Sequence, residues 1–226
     1  GESGSRRLAA TARAERSQPQ PTGKHTGVAQ PTILAMGGIS LDLKKELSFY
    51  AAYHHNKVNV AIHLACIPQL LWTGMMLAHY VVLSGDTDMA LGRLDFTVPL
   101  TLTAPLLAIY IGFYLLLEPL AGALYVPVLL FFYYSAAYVV QNYAFSTVLA
   151  WHAVCWVAQF IGHGVFEGRA PALTDSFLQS LLAAPLFSWL EMLFMLGYRP
   201  QLYRELNAKA EADIAAWRAS KAAKHK

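Results

Sequence analysis

Five long stretches of this chain carry almost no charge, and that constrains its fold more than any other feature. His63–Leu83, Thr97–Leu117 and Pro119–Val140 contain no Asp, Glu, Lys or Arg. Tyr143–Phe166 is uncharged apart from two histidines, and Phe177–Tyr198 holds only Glu191. A bilayer core asks for roughly 20 predominantly apolar residues per helix, and each run meets that length. Hydrophobic residues make up 56% of the chain and charged residues 14%, against about 45–50% and about 25% in soluble domains. A water-soluble globule is therefore excluded. The pattern predicts an all-α, polytopic helical membrane protein with about 4–6 membrane-embedded helices, preceded by an amphipathic helix. The links between runs are short and polar: residues 84–95, Glu118-Pro119, Gln141-Asn142 and residues 167–176. Pro185 divides the last run, which reads either as a span or as a re-entrant segment.

The sparse charge is sorted along the chain. Residues 1–40 hold five basic against two acidic side chains, residues 199–226 hold seven against three, and the middle is mildly acidic. A nucleic-acid binder needs its basic groups on a folded face, so that class is not supported. Lys and Arg favour the cytoplasmic side of a membrane, which predicts both termini in the cytosol and an even number of spans. One of the five runs should then fail to cross. Residues 1–35 are rich in Arg, Ser, Pro, Gln and Thr; such a segment buries too little surface to offset its ordering entropy and is expected to be disordered. Its Arg-rich start is like that of a transit peptide, but no apolar stretch follows as in a secretory signal. Met36 opens a stretch, MGGISLDLKKELSFY, that itself reads as a natural beginning. The expected organisation is a disordered basic extension at 1–40, a membrane-embedded helical domain at 41–200, and a basic cytosolic tail or helix at 201–226. Leu41–Asn59 mixes Leu and Tyr with Asp42, Lys44, Lys45 and Glu46, reading as the amphipathic helix, with Ser40 as its N-cap. Cys66 and Cys155 fall inside apolar runs and read as small hydrophobes.

Histidine is where chemistry enters. Six of the eight lie in the central region: His54, His55, His63, His79, His152 and His163. Ionisable groups at membrane depth are expensive and mark candidate sites, and imidazole is the commonest metal ligand. His79 stands alone and reads as structural. In the first group His55, Asn59 and His63 form an i, i+4, i+8 stripe, whereas His54 and His63 are out of phase and share an ion only if the helix breaks between them. In the second, His152, Gln159 and His163 share a face. His152 and His163 lie about 16 Å apart along a straight helix, and Gly162 and Gly164 offer the bend that brings His163 round. Glu167 and Arg169 read as a solvated turn or, equally, as a partner orienting a ligand histidine and a group meeting a substrate carboxylate. No HExxH, desaturase histidine box, GxSxG elbow, Walker loop or GxGxxG occurs.

Taken together, Tyr53-His54, Asn59, His63 and Pro68 with Trp156, Gln159-Phe160-Ile161-Gly162-His163, Glu167-Gly168-Arg169 and Pro171-Ala172-Leu173 resemble the membrane 2-hydroxy fatty acid dioxygenase family of phytosphingosine breakdown. Ala184-Pro185-Leu186-Phe187 and Glu191 fit the same pattern, and the resemblance covers about residues 41–200. It implies a multi-pass enzyme of the endoplasmic reticulum membrane that uses Fe(2+) and O2, without 2-oxoglutarate, to shorten a long-chain 2-hydroxy fatty acid by its carboxyl carbon. It implies His54, His63 and His163 as iron ligands, with His152 next, as the catalytic set. Asn59, Gln159 and Glu167 are then candidates for supporting the metal, and Lys57 and Arg169 for binding substrate. A 2-hydroxy acid can chelate iron through carboxylate and hydroxyl, leaving a position for O2. The competing reading is a non-catalytic membrane lipid-binding or transport scaffold with structural histidines.

Overall fold

The computed structural model describes residues 41–91, 94–168 and 177–224. The basic extension at 1–40, the expected cap Ser40 and the candidate Arg169 lie outside the described residues. Asp42 caps the first helix, α1 (Leu43–Tyr53), its carboxylate accepting from the Lys45 backbone N–H at 3.2 Å. The amphipathic helix expected through Asn59 stops early. His54 leaves helical geometry (φ −133°, ψ 70°), and Asn56 starts a new helix, α2 (Lys57–His79), its side chain accepting from the Val58 N–H at 2.9 Å. Asn competes well for backbone donors at such positions, so the sequence itself writes the break. With 23 residues, α2 is about 34 Å long, enough to cross a hydrocarbon core of about 30 Å.

After α2 the chain makes an antiparallel hairpin of β1 (Val82–Leu91) and β2 (Leu94–Thr101), with Val82 opposite Thr101 and Leu91 opposite Leu94. The sequence reading differs here, taking 84–95 as a polar link and Thr97–Leu117 as one span. The strand claims the start of that run, and α3 (Thr103–Leu117) keeps 15 residues, or about 22 Å. Thr97, Val98 and Thr101 are β-branched and favour extended backbone, which explains why the helix starts late. The Thr103 hydroxyl then donates to Met75 O at 2.9 Å, fastening α3 to α2.

The remaining helices are α4 (Pro119–Asn142), α5 (Phe145–Ile161) running into a π-helical turn (Gly162–Glu167), α6 (Phe177–Met195) and α7 (Pro200–Lys224). Pro119 stands at the first position of α4, where its missing N–H costs nothing. A Cβ at Gly122 would lie 2.6 Å from Tyr114 O, so glycine lets α4 approach α3. Among the described residues α2, α4 and α5 with its π turn are long and apolar enough to cross a membrane, and α6 with α7, bent by 116°, makes up to four. The all-α membrane architecture is therefore present, with α2 packed against α3, α4, α5 and α6. Tyr114, Leu129, Leu186 and Leu190 are fully buried between these helices. Phe131 and Tyr138 on α4 are 64% and 66% exposed and face outward. At the other end, Glu118 accepts from Tyr198 Oη at 2.7 Å and Arg199 Nη1 at 2.5 Å, joining the α3–α4 hinge to the α6–α7 bend. The C-terminal segment is helical, and Leu202 and Leu206 of α7 are buried. Across that contact Lys44 of α1 reaches Glu205 at 2.8 Å.

Candidate metal centre

The two breaks in regular helix, one before α2 and one after α5, meet. His54 at the end of α1, His63 in the second turn of α2 and His163 in the π turn each offer a ring nitrogen, and these three atoms lie within 4.8 Å of one another. The ring centroids stand 4.3, 4.7 and 4.9 Å apart, all in edge-on arrangements. His63 and His163 are buried and His54 is half-buried. The condition attached to the sequence reading, a helix broken between His54 and His63, is fulfilled at His54–Asn56. His55, the alternative ligand, is exposed and contributes its backbone instead.

Carbonyl oxygens only accept hydrogen bonds, so the carbonyls around the rings fix two tautomers. His54 Nδ1 donates to Tyr50 O and His63 Nδ1 to Asn59 O, each at 2.8 Å and each four residues back along the chain. The proton then sits on Nδ1 in both rings, and Nε2 keeps its lone pair for the centre. Tyr50 also stacks on His54 with ring centroids 3.9 Å apart and planes 13° from parallel. Burial, with Glu191 nearby, holds the Tyr50 phenol well above its usual range, so it remains protonated. Sequence reasoning missed Tyr50, although its position four residues before His54 was a readable signal.

Glu167 draws the two breaks together. Its Oε1 accepts from the backbone N–H of His55 at 2.7 Å, from that of Asn56 at 2.6 Å, and from Asn59 Nδ2 at 3.2 Å. A carboxylate at the N-terminus of α2 also meets the positive end of the helix dipole. The π turn is what places it there, together with His163; π turns are rare and recur at functional sites. Gly168 closes the turn in the left-handed region (φ 67°), its N–H donating to His163 O. Gly162 is required for a different reason: a Cβ there would overlap Asn59 Oδ1. Asn59 itself is fully buried and also donates to Tyr53 O at 3.3 Å. Thus Glu167 acts on the backbone beside His54 and on the residue whose carbonyl holds His63.

His152 is not brought into the cluster. Trp156 Nε1 donates to its Nε2 at 2.9 Å, so its Nδ1 carries the proton and faces Thr73 Oγ1 at 2.8 Å. The Thr73 hydroxyl passes its own hydrogen to Gln69 O at 2.7 Å. Both nitrogens are engaged, about three helical turns away from the trio. Lys57 is exposed on the first turn of α2 and does not line the cavity described next. His79 pairs with Thr101 Oγ1 at 3.1 Å, in keeping with a structural role.

A cavity of about 320 Å³ begins at the three imidazoles and runs between α2, α3, α5 and α6. Its polar end is formed by His54, His63, His163 and Gln159, and its walls by side chains such as Ile67, Leu71 and Phe187. Gln159 Nε2 is a buried donor with no hydrogen-bond partner among the described residues, a costly state that a ligand in the cavity would relieve. None of the α4 aromatics lines this space. Three imidazoles gathered within ligand distance of one another, two of them buried, fit a divalent transition metal. Among the described residues no carboxylate joins the trio, so the donor set is all-histidine.

The model of a family described as "2-hydroxy-palmitic acid dioxygenase Mpo1-like" matches residues 40–196, which include every element of this centre. The chain belongs to this family. It is also similar to the 2-hydroxy-palmitic acid dioxygenase MPO1 of Saccharomyces cerevisiae, at 36% identity over 176 residues, covering 78% of this chain and 94% of that protein. No solved structure matches the chain.

Proposed function

We propose that this protein is an iron(II)-dependent dioxygenase of the endoplasmic reticulum membrane that converts a long-chain 2-hydroxy fatty acid and O2 into the fatty acid one carbon shorter. The observation that carries the reading is the convergence of His54, His63 and His163 at the polar end of an apolar cavity, in a chain whose yeast relative bears a 2-hydroxy-palmitic acid dioxygenase name. The stoichiometry supports it: a 2-hydroxy acid plus O2 balances as the shortened acid, CO2 and water. The C1–C2 bond breaks, C2 becomes the new carboxyl carbon, and O2 takes up all four electrons. No further reductant, and no 2-oxoglutarate, is needed.

His54, His63 and His163 would hold the metal, which when bound supplies sites for O2 and for the substrate's carboxylate and hydroxyl. The residues of this chain do the rest. Tyr50 O and Asn59 O fix the ring orientations of His54 and His63. Gln159 Nε2, at the polar end of the cavity, would donate to the substrate head group, and the apolar walls would exclude water and take the acyl tail. The basic tails favour cytosolic termini.

Purified protein supplied with iron(II), 2-hydroxypalmitate and O2 should release pentadecanoic acid and CO2. Product analysis by mass spectrometry checks this. Absence of the shortened acid from iron-loaded protein, with no effect of His63→Ala, would favour a lipid-binding scaffold instead.

A further inference from the structure

α2 turns His63, Ile67, Leu70, Leu71, Gly74 and Met75 toward the cavity, a stripe along one helix face that starts at the metal centre. α5 runs the other way beside it. His163 stands at the level of His63, and His152 at the level of Thr73. The cavity is therefore a channel directed along α2, with Gly74 near the end away from the histidines.

Gly74 is a glycine in the interior of a membrane-crossing helix, where alanine makes the better helix. Two common reasons for glycine do not apply. Its φ is not positive, since among the described residues only Gly168 and Gly197 are positive-φ glycines. No neighbouring element among the described residues needs the room either, because a Cβ at Gly74 meets none of them within 4 Å. What the missing side chain leaves open is the channel itself.

We propose that Gly74 is a specificity-determining position that sets how long an acyl chain the channel accepts. The inference rests on the function proposed above, and it names the feature that selects among substrates of that class. Gly74 lies eleven residues beyond His63, about 16–17 Å along the helix. An extended chain advances about 1.2 Å per bond, so Gly74 stands level with roughly the fourteenth bond of a chain anchored at the histidines. A medium-length acid ends well before that level, whereas a palmitoyl-length tail reaches it. A large side chain at position 74 would therefore obstruct long substrates and spare short ones.

The test uses the full chain in detergent or nanodiscs, as wild type, Gly74→Ala and Gly74→Leu, with 2-hydroxyoctanoate, 2-hydroxypalmitate and 2-hydroxylignocerate. For Gly74→Leu the ratio of kcat/KM for 2-hydroxypalmitate to that for 2-hydroxyoctanoate should fall by at least about tenfold, chiefly through KM, as expected for overfilling a packed site. Gly74→Ala should move the ratio the same way by less, and it introduces neither a clash nor a helix penalty, so a folding failure of the leucine variant leaves the question answerable. The same order should appear in ligand-induced thermal stabilisation, which requires no turnover. An unchanged length profile in both readouts, or an equal loss for all three acids, overturns the role of Gly74. If wild-type protein converts none of the acids, the proposed activity fails, while the thermal-shift profile still decides whether position 74 measures chain length.

Discussion

A Cβ on Gly162 would overlap the Asn59 side-chain oxygen and stand 3.4 Å from Asn59 Cγ. Alanine there has to push Asn59 off Tyr53 O and Glu167, the two acceptors that hold its amide. The Asn59 carbonyl fixes His63, so the displacement would be felt by a metal ligand the mutation does not touch. Gly162→Ala should destabilise the fold by about 1–3 kcal/mol, as overpacking does, and weaken metal binding by about 10–100-fold, as loss of a ligand's supporting partner does. Gly164 is two residues away, and a Cβ on it would meet none of the described residues within 4 Å. Gly164→Ala is the matched control and should leave both quantities nearly unchanged. Iron titration and thermal unfolding of the two variants check the pair. Equal behaviour of the two would show that the close approach of Gly162 to Asn59 does not matter.

At the scale of elements, a single carboxylate joins the α1–α2 break to the π turn. Glu167→Ala leaves the N–H groups of His55 and Asn56 without their acceptor and takes from the Asn59 amide one of its two, and removes a negative charge from the N-terminus of α2, worth up to about 2 kcal/mol in partly buried geometry. It should lower thermal stability and reduce iron affinity by about 10–100-fold. Glu167→Gln keeps an acceptor oxygen but not the charge and should fall between. An iron affinity that tracks wild type in both variants would contradict the role given to Glu167. This junction also shows how far the sequence could be read. The apolar runs declared the helices, because burial in lipid leaves a strong one-dimensional signal. His54, His63 and His163 stood in a quoted motif, and the need for a break before His63 followed from helical phase. The π turn was not legible, since its geometry depends on the approach of Gly162 to Asn59, a contact between residues far apart in sequence. The hairpin was missed for a related reason: Thr97–Leu117 has the composition of a span, and only its pairing with Val82–Leu91 shows that it begins as a strand. The pairing of His152 with Thr73 was equally hidden, because composition and spacing do not reveal which polar groups on another helix a histidine will meet, whereas Trp156, four residues on, was as readable as Tyr50.

For the whole molecule, the centre draws its donors from α1, α2 and the π turn after α5, so one ion would bridge segments separated by about a hundred residues of chain. A ligand that binds the folded state alone stabilises it by RT ln(1 + [L]/Kd), about 2.7 kcal/mol at a hundredfold excess over Kd. Adding iron(II) anaerobically should therefore raise the thermal unfolding midpoint, and a chelator should return it to the metal-free value. The neighbouring histidines make the test specific. His54→Ala removes a donor of the trio and should abolish most of the metal-dependent shift. His55→Ala removes an exposed ring whose residue engages Glu167 through its backbone N–H, and should leave the shift intact. His152→Ala leaves the trio complete but strips Trp156 Nε1 and Thr73 Oγ1 of their shared partner; it should lower stability with and without iron by a similar amount while the shift persists. Unfolding followed by intrinsic fluorescence with and without metal measures all three. A shift that survives His54→Ala, or disappears with His55→Ala, would show that the ion is held elsewhere.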